Sequence, residues 1–234
     1  MMYSSTQSLA PVAEALPIER AQFIRRTYLH LAAAILAFTG LETVLLHTPG
    51  VEGLVNMMLG RGWLITLALF IGVSYLADRW ARSEASKTMQ YVGLGLYVVV
   101  ESIVFLPLLY IAAYYSSPEV VPMAGIITGL LFAGLTSTAF ITRKDFSFLG
   151  GILTIGGFIA LGVIVCSILF GFQLGLLFSG AMVFFAGASI LYTTSNMIHH
   201  YRPDQYVAAS LALFSGVMLL FWYVLRFVMG SRRN

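Results

Sequence analysis

The sequence predicts an all-α integral membrane protein, a bundle of seven transmembrane helices with a buried seventh helix. Hydrophobic residues make up 59% of the 234 residues and charged residues only 10%, whereas a soluble domain carries about 25% charged residues. Apolar runs long enough to cross a bilayer, about 20 residues each, recur along the chain. The short segments of alternating polarity that a membrane β-barrel requires are absent from the sequence.

The apolar runs define seven spans, at residues 28–46, 62–78, 90–115, 119–141, 148–169, 174–198 and 205–229. Lipid cannot satisfy backbone N–H and C=O groups, so each run should form an α-helix. No residue between Asp145 and His199 is charged at neutral pH, which leaves room for two spans with residues 170–173 as the turn. Residues 1–20 are predicted to form a flexible cytoplasmic N-terminal tail, and residues 21–234 a single transmembrane domain of seven helices.

The distribution of basic residues predicts the orientation. Nine of the 13 Lys and Arg residues lie before the first span or in the connections after the second, fourth and sixth spans, and the loops on the opposite side contain only Arg61. The positive-inside rule therefore places the N-terminus in the cytoplasm, and seven spans place the C-terminus outside. Arg232 and Arg233 leave an alternative open, in which the last run is re-entrant and both termini are cytoplasmic.

Rows of small residues indicate which spans pack closely, because helices in lipid associate where their backbones can approach. Such rows, with residues four apart, occur in the fourth span (Gly125, Gly129, Ala133, Ser137), the fifth (Gly156, Ala160) and the seventh (Ala208, Ala212, Gly216). They predict a compact bundle in which the seventh helix is well buried.

The third span contains the first candidates for a functional site, Glu101 and Pro107. A charge near the bilayer centre costs about 2.5–3.5 kcal/mol, so Glu101 should hold its proton when buried without a cation and could bind calcium transiently when ionised. The alternative is a neutral Glu101 bonded to another helix. Pro107 leaves the carbonyl of Ile103 unpaired, which predicts a kink and a cavity near residues 101–107.

Charged residues near the ends of spans are further candidates. Asp78 and Arg79 close the second span, where solvated charges are common; with Arg82 they could instead form a cytoplasmic latch. Glu42 lies in the outer half of the first span, where we expect a water-facing side chain.

Catalytic motifs are lacking, so we expect neither an enzyme nor a cofactor. The sequence has no His-Glu-x-x-His and no Gly-rich phosphate loop, and its spans have neither a Ser-His-Asp arrangement nor a pair of Asp residues. The few basic residues lie between apolar runs, which excludes a nucleic-acid-binding domain. The lipid bilayer is therefore the expected partner.

Four segments carry a resemblance to a known family: FIRRTYL at residues 23–29, TRKDFSFL at 142–149, ILYTTSN at 190–196 and YVAASLAL at 206–213. They resemble the transmembrane Bax inhibitor motif family, also called Bax inhibitor-1-like. The resemblance implies a central seventh helix and a membrane protein that leaks calcium in a pH-dependent way. The short connections resemble those of bacterial members, some of which modulate a membrane-bound protease, and this implies the bacterial inner (plasma) membrane.

The sequence departs from the family at the pH sensor that the resemblance implies. Calcium-leak members carry two facing Asp residues near the cytoplasmic ends of the sixth and seventh helices, and their protonation and a nearby Arg control closure. Alignment on the quoted segments puts Thr193 and Gly216 at those positions, so the sensor cannot be carried over. Arg79 and Arg82 are the candidates for the arginine.

Three interpretations of function remain open. The first is a cation leak channel in which Glu101 replaces the missing carboxylates. Polar groups available to such a path are Ser102, Tyr97, Thr193, Ser195 and Asn196. The second is a non-conducting scaffold that modulates other membrane proteins, such as a protease. The third is a small-solute transporter, a class that usually shows internal repeats, and the sequence has no convincing repeat.

Overall fold

The computed structural model describes residues 11–59, 62–83, 86–142 and 144–232. These residues form the helices α1 (Pro17–Leu46), α2 (Val51–Met58), α3 (Gly62–Ala81), α4 (Lys87–Tyr115), α5 (Val120–Thr142), α6 (Leu149–Phe170), α7 (Leu176–His199) and α8 (Tyr206–Ser231). All except α2 are long and apolar enough to cross a membrane, seven in this part of the chain. The predicted all-α bundle is therefore confirmed.

The short helix α2 was not predicted. It follows Gly50, whose φ of 85° lies in the left-handed region that glycine adopts without steric cost. Val55 of α2 is buried against Leu106 and Tyr110 of α4. Its eight residues are too few to span a bilayer, so a search for apolar runs passes over α2.

The segment before α1 is packed from Pro11 onwards. Val12 is fully buried, and its N–H donates to the carbonyl of Tyr201 over 2.8 Å. The Arg20 side chain donates to the carbonyls of Val12 and Ala13. Residues 11–20 of the predicted tail therefore form a packed turn and the first turn of α1. Residues 1–10 lie outside the described residues.

The bundle has two ends, which we name by the chain termini. At the N-terminal face, where α1, α4 and α8 begin, Lys87 Nζ donates to the carbonyl of Asp204 over 2.6 Å. At the C-terminal face, where α8 ends, Arg232 forms an ion pair with Glu119 at 2.7 Å. Consecutive spans are therefore antiparallel.

Helix α8 is central, as predicted. It contacts α1, α3, α4, α5 and α7. Two residues of its predicted small row, Ala208 and Gly216, are buried. A Cβ at Gly216 would lie 3.2 Å from Ile190 Cγ1 on α7, so the missing side chain permits this close approach.

The prediction that the small row of α5 packs inside the bundle is wrong. Gly125, Gly129, Ala133 and Ser137 are all exposed, and a Cβ at either glycine would meet nothing within 4 Å in the described part of the chain. A neighbouring face of α5 is buried instead, at Val120, Ala124, Thr128, Thr136 and Ala139. Helix α5 contacts α7 and α8.

We expect Gly93→Ala to lower the free energy of unfolding by about 1–3 kcal/mol, the usual cost of overpacking. A Cβ there would lie 2.7 Å from the carbonyl oxygen of Ala77 and 2.8 Å from the backbone nitrogen of Ala81, so α3 and α4 would have to separate. Gly95→Ala, two residues along and in open space, is the matched control. Equal thermal unfolding midpoints for the two variants in detergent would contradict this packing.

Candidate functional site

A polar cavity of about 310 Å³ lies between α3, α4, α7 and α8. Its polar lining comes from Ser74, Asp78, Tyr97, Ser189, Thr193 and Ser215, and the remaining lining from Leu211, Ala212, Gly216 and Leu219. Asp78 lies in the last turn of α3 and Leu211 in the second turn of α8. The cavity therefore occupies the half of the bundle nearer the N-terminal face.

Three sequence candidates join Tyr97, a fourth, at this cavity. Asp78, Thr193 and Gly216, from three different helices, all line it. Gly216 contributes only backbone to the lining, because it has no side chain. The two positions that the family resemblance assigns to aspartates are therefore neighbours in space, with a carboxylate from α3 beside them.

An ion pair and an aromatic ring close the cavity toward the N-terminal face. Arg82 Nε lies 2.9 Å from both carboxylate oxygens of Asp78, and the guanidinium lies 5.6 Å from the ring centre of Tyr201. Burial raises the pKa of the Tyr201 hydroxyl, so this side chain stays neutral. Both members of the ion pair are over 40% exposed, and such pairs contribute only about 0.3–0.5 kcal/mol. This closure is therefore weak.

The second arginine candidate does not take part in this closure. Arg79 is exposed and does not line the cavity, because it lies on a different side of α3 from Asp78. Of the two arginines, the structure brings only Arg82 to the site.

Glu101 lies one turn beyond the cavity along α4. It is 5% exposed, and its carboxyl group interacts with the side chain of Tyr97, one turn earlier on α4. The Tyr97 hydroxyl in turn hydrogen-bonds Ser215 Oγ at 2.8 Å. Glu101 is thus joined through Tyr97 to the cavity lining and to α8.

Glu42 is buried, and the expectation of a water-facing side chain is wrong. It is 4% exposed, and neither carboxyl oxygen has a hydrogen-bond partner among the described residues. Helix α1 turns this side toward α4 and α8, and Phe38, one turn earlier, contacts Phe105 and Phe214. A buried polar group without a partner is costly, so Glu42 is a stronger functional candidate than its position in the sequence indicated.

Aromatic side chains fill the space between Glu101 and Glu42. This aromatic block consists of Phe38, Phe105, Phe214, Phe221 and Trp222. Phe105 stacks on Phe221 at 5.7 Å and meets the edge of Trp222 at 4.9 Å. Because the block occupies the space beside α4, it separates the polar cavity from the C-terminal face.

The cavity predicted near residues 101–107 is misplaced. The observed cavity lies on the N-terminal side of Glu101, where small Ser and Thr side chains leave space. Pro107 is buried inside α4, which continues through it as one helix, and it does not line the cavity. The adjacent Leu106 packs in a cluster with Val55 of α2 and Tyr110.

Three polar candidates from the sequence, Ser102, Ser195 and Asn196, do not line the cavity. Ser102 donates to the carbonyl of Val98 within α4. Ser195 accepts from the N–H of Phe146 at 2.9 Å and so holds the connection between α5 and α6. Sequence analysis missed Ser74, Ser189 and Ser215, because an isolated serine in an apolar helix gives no signal of what it faces.

The acidic residues that the structure describes do not form a metal cluster. In the described ranges no group of three or more His, Cys, Asp or Glu side chains could hold a metal ion together. Glu101 would therefore meet a calcium ion as a single carboxylate, and an ion there would keep water among its six to eight oxygen ligands.

A family model described as "Inhibitor of apoptosis-promoting Bax1" matches residues 20–234. The chain is 30% identical to the uncharacterized protein PA2604 of Pseudomonas aeruginosa, over 85% of this chain and 84% of that protein. It is 26% identical to Bax inhibitor 1 of Schizosaccharomyces pombe, over 97% and 83%, and 26% identical to the modulator of FtsH protease YccA of Escherichia coli, over 85% of each chain. Such names describe inhibitors and modulators rather than enzymes.

We expect Thr193→Cys, in a Cys166→Ser background, to react with a small charged thiol reagent, since the cavity admits water and thiol modification proceeds through the thiolate. Ser102→Cys is the matched control, because Ser102 is buried on α4 away from the cavity lining. Labelling is followed by mass spectrometry in intact vesicles. If Thr193→Cys is modified no faster than Ser102→Cys, the cavity does not give Thr193 preferential access to water.

Proposed function

Because the chain belongs to the Bax inhibitor family described as "Inhibitor of apoptosis-promoting Bax1", we propose that this membrane protein is a cation leak channel, with calcium among the ions it passes. One observation carries the proposal. Three carboxyl groups, Asp78, Glu101 and Glu42, lie at increasing depth from the N-terminal face, and the last two are buried in the bundle. Ionisable residues inside a membrane bundle mark ion or proton paths more often than packing.

Entry to the path is at Asp78. Its ion pair with Arg82 is weak because both side chains are solvated, so a cation can displace the guanidinium at little cost. The hydroxyls of Thr193, Ser189 and Ser215 then offer oxygen ligands along the cavity, as hard cations prefer. Tyr97 leads from these hydroxyls to Glu101.

The aromatic block is the closed gate of this path. Phe38 and Phe105 meet edge to face at 5.1 Å, one turn beyond Glu101 on α4 and one turn before Glu42 on α1. Hydrophobic constrictions stop ions by excluding water. Conduction therefore requires the block to open, with Glu42 as the next carboxyl group on the far side.

The cavity also offers a replacement for the missing pair of aspartates. Thr193 and Gly216 stand at the positions that the resemblance assigns to that pair, and Asp78 lines the same cavity. We assign to Asp78 the carboxylate role at this mouth and to Arg82 the role of the closing arginine, while Arg79 has none. The N-terminal face is then the cytoplasmic face, in agreement with its basic connections, and the membrane is the bacterial inner membrane.

A second candidate function is modulation of a membrane protease. It is favoured by the similarity to the E. coli modulator of FtsH protease. The outward row of small residues on α5, Gly125, Gly129, Ala133 and Ser137, leaves a helix face that a partner helix could approach closely. This function needs no polar path, so it predicts no role for Asp78 or Glu101.

We expect Glu101→Gln and Asp78→Asn to lower calcium flux into dye-loaded liposomes by about tenfold, since each 1.4 kcal/mol of barrier is a factor of ten in rate. Glu119→Gln, which removes a carboxylate at the C-terminal face, should leave the flux unchanged. If wild-type protein gives no flux above empty vesicles between about pH 6 and 8, or if the two path variants conduct normally, the channel function is rejected. The modulator function would then stand alone.

Arg82→Gln should raise the flux at neutral pH about twofold, because the pair that closes the mouth contributes only about 0.3–0.5 kcal/mol. Arg79→Gln is the matched control, since it removes the same charge from the same end of α3 without touching the cavity. An equal effect of the two substitutions would mean that overall charge, and not the closure at Asp78, controls the flux.

A further inference from the structure

A second cluster of polar side chains lies at the N-terminal face, apart from the cavity. It consists of Arg26 and His30 on α1, Lys87 and Tyr91 on α4, and Tyr206 on α8, and we call it the basic aromatic cluster. None of these residues lines the cavity. The inference drawn from this cluster does not rest on the proposed channel function.

Three rings form the floor of the cluster. The His30 ring stacks on Tyr91 with centres 5.5 Å apart and is tilted against Tyr206 at 5.2 Å. His30 Nε2 lies 3.2 Å from the Tyr91 hydroxyl, which lies 3.2 Å from that of Tyr206. Aromatic contacts and hydrogen bonds therefore join α1, α4 and α8 at this end of the bundle.

Two cationic side chains lie over the Tyr206 ring of this cluster. The Arg26 guanidinium lies 5.4 Å from the ring centre of Tyr206, and Lys87 Nζ lies 4.9 Å from it. Lys87 also donates to the carbonyl of Asp204 and to Gln90 Oε1. The Tyr206 ring is thus in cation–π contact with two positively charged side chains.

No carboxylate of the described residues neutralises these charges. Among the described residues neither Arg26 nor Lys87 forms an ion pair, and the nearby Asp204 carboxylate is bound to Arg202 at 3.3 Å. Two unpaired like charges repel each other, and an anion between them would remove that cost. The cluster therefore has the charge and the donors of an anion site, with hydroxyl groups from Tyr91 and Tyr206 beside the cations.

We propose that the basic aromatic cluster binds the phosphate of an anionic phospholipid headgroup. Arg and Lys bind phosphate oxygens with charge-assisted hydrogen bonds, and basic pockets between the ends of membrane helices recognise anionic headgroups. Leu29 on α1 and Val92 on α4 adjoin the cluster in sequence and are about half exposed, so they are available to the acyl chains. A soluble phosphate compound would use the cations but not this apolar surface.

The bound lipid would clamp the three helices. Arg26 belongs to α1, Lys87 to α4 and the ring between them to α8, so one phosphate would bridge the beginnings of all three. A ligand that binds only the folded state stabilises it, and this stabilisation grows with the logarithm of the ligand concentration above Kd. The lipid should therefore raise the thermal unfolding midpoint of the protein.

The test uses the full chain in nanodiscs of phosphatidylcholine with increasing phosphatidylglycerol. Wild-type protein should show a rising unfolding midpoint, and the double variant Arg26→Gln with Lys87→Gln should need at least about fivefold more phosphatidylglycerol for the same rise, since each cation near an anionic surface contributes about 1 kcal/mol. The matched control is Arg25→Gln with Arg79→Gln, two exposed cations outside the cluster. It should respond as the wild type does.

Two results would overturn the proposal. If the control double variant loses as much of the lipid response as the cluster variant, the effect is general surface charge. If pyrophosphate added to phosphatidylcholine nanodiscs raises the midpoint as much as phosphatidylglycerol does, the ligand is a soluble phosphate compound and not a lipid. Equal midpoints of all variants in phosphatidylcholine alone establish that each is folded. Tyr206→Leu, which removes the ring that holds both cations, should behave like the cluster variant.

Discussion

Helix α8 packs against five other helices, and both polar sites depend on this packing. In lipid the hydrophobic effect does not hold helices together, so van der Waals contact between closely approaching backbones must stabilise the bundle. Gly216 allows α7 to approach α8, and Ser210 donates to the carbonyl of Thr27 on α1 over 2.9 Å. The central helix therefore fixes how its neighbours face one another, and with that which polar side chains meet.

The acidic residues differ in what their positions cost. Asp78 is solvated and its ion pair is weak, so its charge is tolerated without special support. Glu101 and Glu42 are buried, and a carboxyl group in such a place needs a proton, a hydrogen bond or a cation. The Glu101 carboxyl group interacts with the side chain of Tyr97, whereas Glu42 has no hydrogen-bond partner in the described part of the chain. Glu101 and Glu42, whose burial is costly, lie on the two sides of the aromatic block. This block would interrupt the proposed ion path in its closed state.

Most of the bundle could be predicted from apolar runs, since their length is set by the thickness of the bilayer. The candidate site could be predicted only in part. Glu101 was identified because a charge in the middle of an apolar run is rare. Glu42 was assigned to water because it lies near the end of a run, and the small row of α5 was assigned to the core because such rows often pack. In both cases the position in the sequence does not show which face of the helix packs against a neighbouring helix.

By itself the sequence determined the solvent, the number of spans and the depth of each charge, because these depend on composition and on distance along one helix. Only the tertiary structure decided that Asp78, Thr193 and Gly216 share a cavity, that Glu42 is buried and that Arg26 and Lys87 meet over one ring. These are contacts between residues far apart in the chain. They follow from the rotation of each helix about its axis, which is set by packing against neighbouring helices and not by the local sequence.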